Sequence, residues 1–370
     1  MEPPKRKLVL TDLGWNNPNK AKGLSEFPRS LRTRAILQAF IDHPDFDPQF
    51  HWRGMLEGKI PIDISLHYVV LLDIETCFES NYPNNVANFH ANADTRMGRV
   101  VNDKGINPCY RMGGCRKYIQ HVLESPLFQQ ANKSTLLYLL CGGNGPEHTI
   151  RKQKIASNQL SVLALSAGPD MLHADSDMGL PPPPIHPVTL SHQQHQEIMS
   201  CGSESDDNRP YLFSFVGRHR GSSPRSELFK LHNGNDVISI QTPNYLEAKQ
   251  KGEINETYPS LLKKSKFGAA PRGDNRFSYR FTEVLSAGAI PVIYSDGWVL
   301  PFRKELVDWS KCAIVIPEDQ VSQTIGILKD ITEKQRCRRR QYCFGIYNKY
   351  MASPGATLAG ILDSLEAAQT

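Results

Sequence analysis

Long apolar runs, cysteines and charge of one sign are all scarce in this chain of 370 residues. No apolar stretch approaches the roughly 18 residues that a membrane-spanning helix needs. The basic N-terminus, residues 1–12, leads into no apolar segment of the kind that signal peptides carry. A net charge of +5 is too small for a dedicated nucleic-acid binder, so we expect no nucleic-acid partner. We expect either a cytosolic protein or a chain that begins after a membrane anchor.

Eight cysteines are too few for a disulfide scaffold at this length. Cys109 and Cys115 are six residues apart, and so are Cys337 and Cys343. Histidines do not flank them in a zinc-type pattern, so we predict local disulfides or buried thiols rather than a metal site.

Aspartate pairs that can hold a metal ion occur twice, at Asp45 with Asp47 and at Asp175 with Asp177. Two carboxylates so spaced can bind a metal that bridges a sugar diphosphate. Both pairs lie in loops rich in proline or serine, and we predict no metal at either.

Domain organisation is indicated by four consecutive prolines, Pro181–Pro184, and the polar stretch that follows to Pro210. Proline continues neither a helix nor a central strand, so we predict an irregular connector here. The predicted division is an N-terminal domain over 1–180, a connector over 181–210, a second domain over 211–350, and a C-terminal helix over 351–370. That last helix can pack back toward the N-terminal domain.

Short apolar strands alternate with helical segments on both sides of the connector. Alternation of this kind predicts two parallel sheets with helices on both faces, an α/β fold. Ligands of such sheets bind beyond the carboxyl ends of the strands, near a switch in strand order. The predicted strands cover residues 68–73, 136–141, 161–166, 211–216, 237–241, 267–270, 290–294 and 313–316.

The segment 267–302 has the pattern of an anion site. A strand ends in Pro271-Arg272-Gly273, and after a polar turn a helix begins near Ser278. Helix N-termini bind anions through backbone N–H groups and the helix dipole. Arg280 and Glu283 lie on the same helix, where the carboxylate can accept hydrogen bonds from sugar hydroxyls. The alternative is a surface ion pair between these two residues, worth about 0.2–0.5 kcal/mol.

A second cationic loop closes the strand at 211–216. Gly217 permits a tight turn or a close approach to a ligand, and Arg218 and Arg225 can each grip a diphosphate. The alternative is a plain turn with exposed cations. Arg225 opens a helix, where a cation opposes the macrodipole, and a bound anion would remove that conflict.

Two further segments leave their interpretation open. Trp298 follows a strand end and either stacks on a sugar or base or belongs to the core. The basic run 334–340, KQRCRRR, is either a solvated helix face or a docking surface for an acidic acceptor or membrane lipid.

These motifs together resemble the exostosin family, glycosyltransferase family 47. The resemblance is carried by VGR at 216–218, PRSELFKLHNGNDV at 224–237, and PRGDNRFSYRFTEVLSAGAIPVIYSDGWVLPF at 271–302. It continues through VDWS at 307–310 and, more weakly upstream, through LLYLLCGGNGPEH at 136–148 and DMGLPPPP at 177–184.

The resemblance implies a GT-B architecture, two Rossmann-like domains facing across a cleft, with an acceptor-side domain over 1–180 and a nucleotide-sugar-binding domain over 211–350. It implies inverting transfer from a UDP-sugar to a glycan or glycoprotein acceptor, with no cofactor or metal required. Arg225 and Arg272 would hold the diphosphate, Ser278 and Arg280 would shape the loop, and Glu283 would bind the donor's hydroxyls. Gly217, Arg218 and Gly273 complete the predicted donor site. Inversion also needs a base, for which Glu147, His148 and Asp170 are the candidates, and we choose Glu147.

The same resemblance implies a Golgi or secretory-pathway lumen location and a homo- or hetero-oligomer with another transferase. The chain resembles single-domain members, and it has Phe267-Gly268-Ala269 where the heparan polymerases carry a cysteine. Two alternatives stay open. One is a catalytically inactive subunit that supports a partner transferase, and the other is a nucleotide-processing enzyme that shares only the scaffold.

Overall fold

A computed structural model describes residues 6–10, 36, 38–47, 61–71, 135–140, 160–164, 178–182, 187–200, 209–219, 224–251, 256–273 and 276–367. The chain divides into two compact units. The first comprises residues 1–165 and 169–179, and the second comprises residues 166–168 and 180–370.

The first unit contains a parallel sheet, and its described strands follow chain order. They are β1 (Arg6–Leu10), β2 (His67–Leu71), β3 (Thr135–Leu140), β4 (Leu160–Ala164) and β5 (Met178–Gly179). Each pairs in parallel with its neighbour, in the order β1-β2-β3-β4-β5. All five residues of β2 are buried, as expected of a parallel strand covered on both faces.

The first predicted aspartate pair has a structural role. Arg6 Nε lies 2.6 Å from Asp45 Oδ2, and Lys7 Nζ lies 3.8 Å from Asp47 Oδ2. These ion pairs join β1 to the segment after the helical residues 38–41. The second pair, Asp175 and Asp177, lies outside the described residues.

The second unit contains a parallel sheet whose strand order reverses once among the described strands. These are β6 (Tyr211–Gly217), β7 (Val237–Gln241), β8 (Ser265–Pro271), β9 (Ile290–Tyr294) and β10 (Ile314–Val315). The order is β10-β9-β8-β6-β7, so the chain builds outward from β6 in one direction and then from β8 in the other. The strand order therefore switches between the neighbouring strands β6 and β8, and doubly wound sheets bind their ligands at such a switch point.

Helices cover both faces of this second sheet. On one face lies a core that includes Phe213, Phe267, Val292 and Tyr294. On the other face, the helix that carries Val284 packs against Phe344. The described helices are α1 (His192–Ser200), α2 (Pro224–Phe229), α3 (Thr242–Gln250), α4 (Tyr258–Lys263), α5 (Tyr279–Ser286), α6 (Thr324–Lys329), α7 (Glu333–Tyr350) and α8 (Pro354–Ala367). Short 3₁₀ turns occupy Trp309–Lys311 and Glu318–Gln323.

The prediction of an irregular connector over 181–210 is wrong for part of its length, because residues 192–200 form α1. Val188 donates its N–H to Ser286 Oγ at 3.0 Å, and Ile198 packs in the core with Val284 and Phe344. This stretch therefore belongs to the second unit. Its helix has one buried apolar residue, Ile198, which explains why the polar sequence HQQHQEIMS did not predict it.

Both alternatives for Cys337 and Cys343, a local disulfide or buried thiols, are also wrong. Cys343 on α7 is bonded instead to Cys312, 31 residues earlier in the chain, with 4.9 Å between the Cα atoms. Both side chains are buried. Cys337 forms a disulfide as well, with a partner outside the described residues.

The basic run on α7 is largely committed to internal contacts. Arg336 Nη1 donates to the Ile331 carbonyl at 2.6 Å, and Arg339 Nη1 donates to the Ser310 carbonyl at 2.6 Å. Arg340 is 5% exposed. Arg336 and Arg339 contact backbone carbonyls and Arg340 is buried, so the two interpretations of the run apply only to Lys334 and Arg338, which are exposed.

The predicted α/β fold with two Rossmann-like units is confirmed by the two parallel sheets, one in each unit. Two such units are the components of the GT-B architecture. In the described part of the chain, no helix is both long and apolar enough to traverse a bilayer.

Candidate functional site

The carboxyl edge of the second sheet gathers the loops that follow β6, β8, β9 and β10. Arg272, directly after β8, donates its backbone N–H to the Tyr294 carbonyl of β9 at 2.9 Å. Ser295, directly after β9, donates its hydroxyl to the Arg276 carbonyl at 2.7 Å. These bonds hold the loop that leads into α5 against the end of the sheet.

Arg225 and Arg272 come from opposite sides of the switch point and lie together. Arg225 Nε donates to the Arg272 carbonyl oxygen at 2.9 Å. Its Nη1 and Nη2 reach the carbonyls of Arg218 and Pro271 at 3.5 Å, the weak limit of hydrogen bonding. The Arg225 guanidinium therefore braces the backbone that carries Arg272.

The side chain of Arg272 is held by a carboxylate that the sequence did not single out. Arg272 Nε lies 2.7 and 2.8 Å from the two carboxylate oxygens of Glu318, which follows β10. Glu318 also accepts from the Asp296 N–H at 3.1 Å, and its own N–H donates to Asp296 Oδ1 at 3.2 Å. Reciprocal bonds of this kind join the loops after β9 and β10.

Ser278 is the N-cap residue of α5, yet its side chain caps nothing. It is 3% exposed, and its hydroxyl oxygen has no hydrogen-bond partner among the described residues. Such buried polar atoms are uncommon, because each costs about 1–3 kcal/mol when unpaired. The first turn of α5 also carries no acidic residue. The N-terminus of α5 thus combines an unsatisfied hydroxyl with the positive end of a helix dipole.

Arg280 and Glu283 form an internal ion pair, so the alternative of a surface pair is wrong. Arg280 Nη1 donates to Glu283 Oε2, and the Glu283 side chain is 0% exposed. Tyr258 on α4 donates its hydroxyl to the same oxygen at 3.3 Å, and the Arg280 guanidinium lies 4.3 Å from its ring centroid. Burial raises the pKa of the Tyr258 hydroxyl, so it stays protonated and donates. Contact between Glu283 and a donor hydroxyl would require this cluster to open.

The remaining predicted donor residues differ in position. A Cβ at Gly273 would lie 3.5 Å from Arg225 Nη2, which places Gly273 beside the two arginines. A Cβ at Gly217 would lie 2.5 Å from the Phe215 ring, so packing within β6 already requires a glycine there. Arg218 is exposed and contributes its carbonyl. Glu147, the predicted base, lies outside the described residues.

Trp298 belongs to the core rather than to an exposed stacking surface. It is 8% exposed and makes an edge contact with Phe281, with 5.3 Å between ring centroids. Among the described residues, no group of three or more histidine, cysteine or acidic side chains is arranged to hold a metal ion.

Sequence reasoning missed three side chains around this site. Glu318 contacts Arg272, Tyr258 contacts Glu283, and His219 shares a 2.9 Å hydrogen bond with Ser226 beside Arg225. Glu318 and Arg272 are 46 residues apart, so no local spacing pattern could pair them. Both follow strands of one parallel sheet, β8 and β10 with β9 between them, and that shared edge is the only signal of their contact.

A doubly wound sheet with two arginines and an uncapped helix N-terminus at its switch point is an arrangement that can bind an anionic ligand. Comparisons with known proteins make this class specific. The chain matches the family model described as the Exostosin GT47 domain over residues 116–331, more than half of its length. The chain belongs to the exostosin family and carries a GT47 glycosyltransferase domain.

Individual relatives agree with the family. Exostosin-1 homolog of Caenorhabditis elegans is 26% identical over 301 residues, which are 76% of this chain and 74% of that protein. Exostosin-1 of Drosophila melanogaster is 28% identical over 241 residues, 60% of this chain but 30% of the fly protein. A solved glycosyltransferase from Rickettsia africae is 9% identical and covers 99% of both chains at a TM-score of 0.39, too loose a superposition to argue from.

Proposed function

We propose that this chain is an inverting glycosyltransferase that moves a sugar from a UDP-sugar to a glycan or glycoprotein acceptor. The observation that carries the proposal is the contact between Arg225 and Arg272 at the switch point. Arg225 Nε lies 2.9 Å from the carbonyl oxygen of Arg272. The paired N–H donors of an arginine guanidinium match phosphate oxygens in geometry and charge. The unpaired hydroxyl of Ser278 adds a hydrogen-bond donor at the adjacent helix N-terminus.

In the proposed reaction an acceptor hydroxyl oxygen attacks the anomeric carbon of the donor sugar. The bond from that carbon to the diphosphate oxygen breaks, and UDP leaves with the electron pair. The acceptor's proton passes to a general base, for which Glu147 remains the prediction. Positive charge from Arg225 and Arg272 stabilises the negative charge that builds on the leaving diphosphate, so no metal is required for this step.

The proposed location of the protein is the lumen of the secretory pathway, specifically the Golgi. Disulfide bonds at Cys312–Cys343 and at Cys337 support this, because such bonds persist in oxidising compartments. Assembly with a second copy or with another transferase stays part of the proposal.

Binding of UDP to the intact chain tests the donor site. We expect UDP to raise the melting temperature and Arg272→Ala and Arg225→Ala each to weaken UDP binding at least 10-fold, since a hydrogen bond to a charged group is worth about 1.5–3 kcal/mol. Arg338→Ala removes an exposed charge from α7 and serves as the matched control. Unchanged UDP affinity in both site variants would rule the site out.

Turnover separates the enzyme from its alternative, an inactive subunit that supports a partner transferase. A panel of UDP-sugars is incubated with mixed glycan acceptors, with and without EDTA, and UDP release is measured. We expect release with at least one donor in both conditions. UDP binding without release from any donor would favour the supporting role.

A further inference from the structure

Within the part of the chain that the structure describes, the side-chain hydrogen bonds of Arg272 all use Nε and reach one carboxylate. Both oxygens of Glu318 lie within 2.8 Å of Nε. Among the described residues, no hydrogen bond of Arg272 uses Nη1 or Nη2. The two terminal nitrogens form the fork that matches a phosphate, and they are the part of the side chain that Glu318 leaves available.

Glu318 is itself fixed in place. Its carboxylate accepts from the Asp296 N–H at 3.1 Å, and its N–H donates to Asp296 Oδ1 at 3.2 Å. It is also the first residue of the 3₁₀ turn Glu318–Gln323, which follows β10. With its side chain 20% exposed, it is neither a solvated surface carboxylate nor a buried unpaired one.

We propose that Glu318 is a positioning residue for the donor diphosphate. It grips Arg272 through Nε and thereby aims Nη1 and Nη2 at the diphosphate beside Arg225. An unrestrained arginine loses rotamer entropy when a ligand orders it, and the contact with Glu318 orders most of the Arg272 side chain before binding. The inference rests on the proposed function, since it assigns a second residue to the same site.

The negative charge of Glu318 also has an effect that opposes the binding of UDP. A carboxylate near an anionic ligand repels it, and removal of the charge would then tighten binding. Glu318 contacts Nε and not the terminal nitrogens, so the guanidinium stands between the carboxylate and the ligand. We therefore expect the effect of positioning on UDP affinity to exceed the effect of repulsion. Weaker UDP binding by Glu318→Ala would support positioning, and tighter binding would support repulsion.

A double-mutant cycle on the full chain tests the inference, with UDP as the probe and calorimetric titration as the readout. We expect Glu318→Ala to weaken UDP binding on the order of 10-fold, the lower end of the loss seen when residues that orient metal ligands are removed. In the Arg272→Ala background the same change should have no further effect, because Glu318 acts only through Arg272. Glu247→Ala removes a carboxylate from an exposed ion pair with Lys251 and is the matched control.

Each outcome has a defined meaning. Unchanged or tighter UDP binding by Glu318→Ala overturns the inference, and so does an equal loss in both backgrounds, which would indicate a general effect on the fold. If the alanine variant does not fold, Glu318→Asp replaces it in the same cycle, because it keeps the charge and shortens the reach by one methylene. Unchanged UDP affinity in both Arg225→Ala and Arg272→Ala would instead refute the donor site, so the failure of the inference and the failure of the proposed function are distinguishable.

Discussion

Removal of the Glu283 carboxylate tests whether this residue serves the fold or the donor sugar. The side chain is 0% exposed and accepts from both Arg280 and Tyr258. Glu283→Ala leaves the Arg280 guanidinium in a largely buried place without its counter-charge. Breaking a buried ion pair from one side costs about 3–5 kcal/mol, a large share of the roughly 5–15 kcal/mol that stabilises a typical domain.

The assay is urea denaturation followed by tryptophan fluorescence, with the transition of the second unit fitted separately. We expect Glu283→Ala to lower the free energy of unfolding by about 3–5 kcal/mol, and the double change of Arg280 and Glu283 to Met to recover most of it, since apolar residues of similar volume replace buried pairs well. Glu247→Ala, in an exposed pair, should change it by less than about 1 kcal/mol. A loss below about 1 kcal/mol for Glu283→Ala together with a 10-fold loss of UDP affinity would refute the structural role and support a donor contact.

Two further predictions concern packing and cross-linking in the second unit. Replacing Cys312 and Cys343 together by Ala should lower its unfolding free energy by about 4 kcal/mol under non-reducing conditions, because the bond closes a loop of 31 residues; an unmoved urea midpoint would contradict this. Gly268→Ala should cost about 1–3 kcal/mol by the same measurement, because its Cβ would lie 2.5 Å from Val284 Cγ2. Gly326→Ala on α6 has nothing within 4 Å of its Cβ and should instead stabilise the chain slightly, so equal effects at the two glycines would show the reasoning to be wrong.

Strands were the most predictable part of the fold. β7 and β9 begin and end at the predicted residues, Val237–Gln241 and Ile290–Tyr294. Both are short apolar runs bounded by turn-forming residues, a signal that is local in sequence. Helix α1 was missed for the opposite reason, because it is stabilised mainly through Ile198 by residues distant in the chain.

The candidate site shows the same division between local and distant information. The adjacency of Arg225 and Arg272 was predictable, because residues that follow parallel strands on either side of a switch point share one edge. The i,i+3 pair of Arg280 and Glu283 was visible as a pair, but its burial depends on Tyr258 from another helix. Glu318 was invisible, since its role exists only once β8 and β10 have been placed in the sheet.

The reversal of strand order between β6 and β8 also affects how this unit can change over time. In the proposed site, Arg225 and Arg272 would contact the ligand beyond the ends of these strands, whereas the ladder of backbone hydrogen bonds behind them does not depend on side-chain identity. Under the proposed function, new donor preferences can therefore arise by substitution beyond the strand ends while the sheet stays intact. Because ligand contacts and the hydrogen bonds of the sheet involve different groups, this edge is the natural starting point for redesigning the ligand preference of the chain.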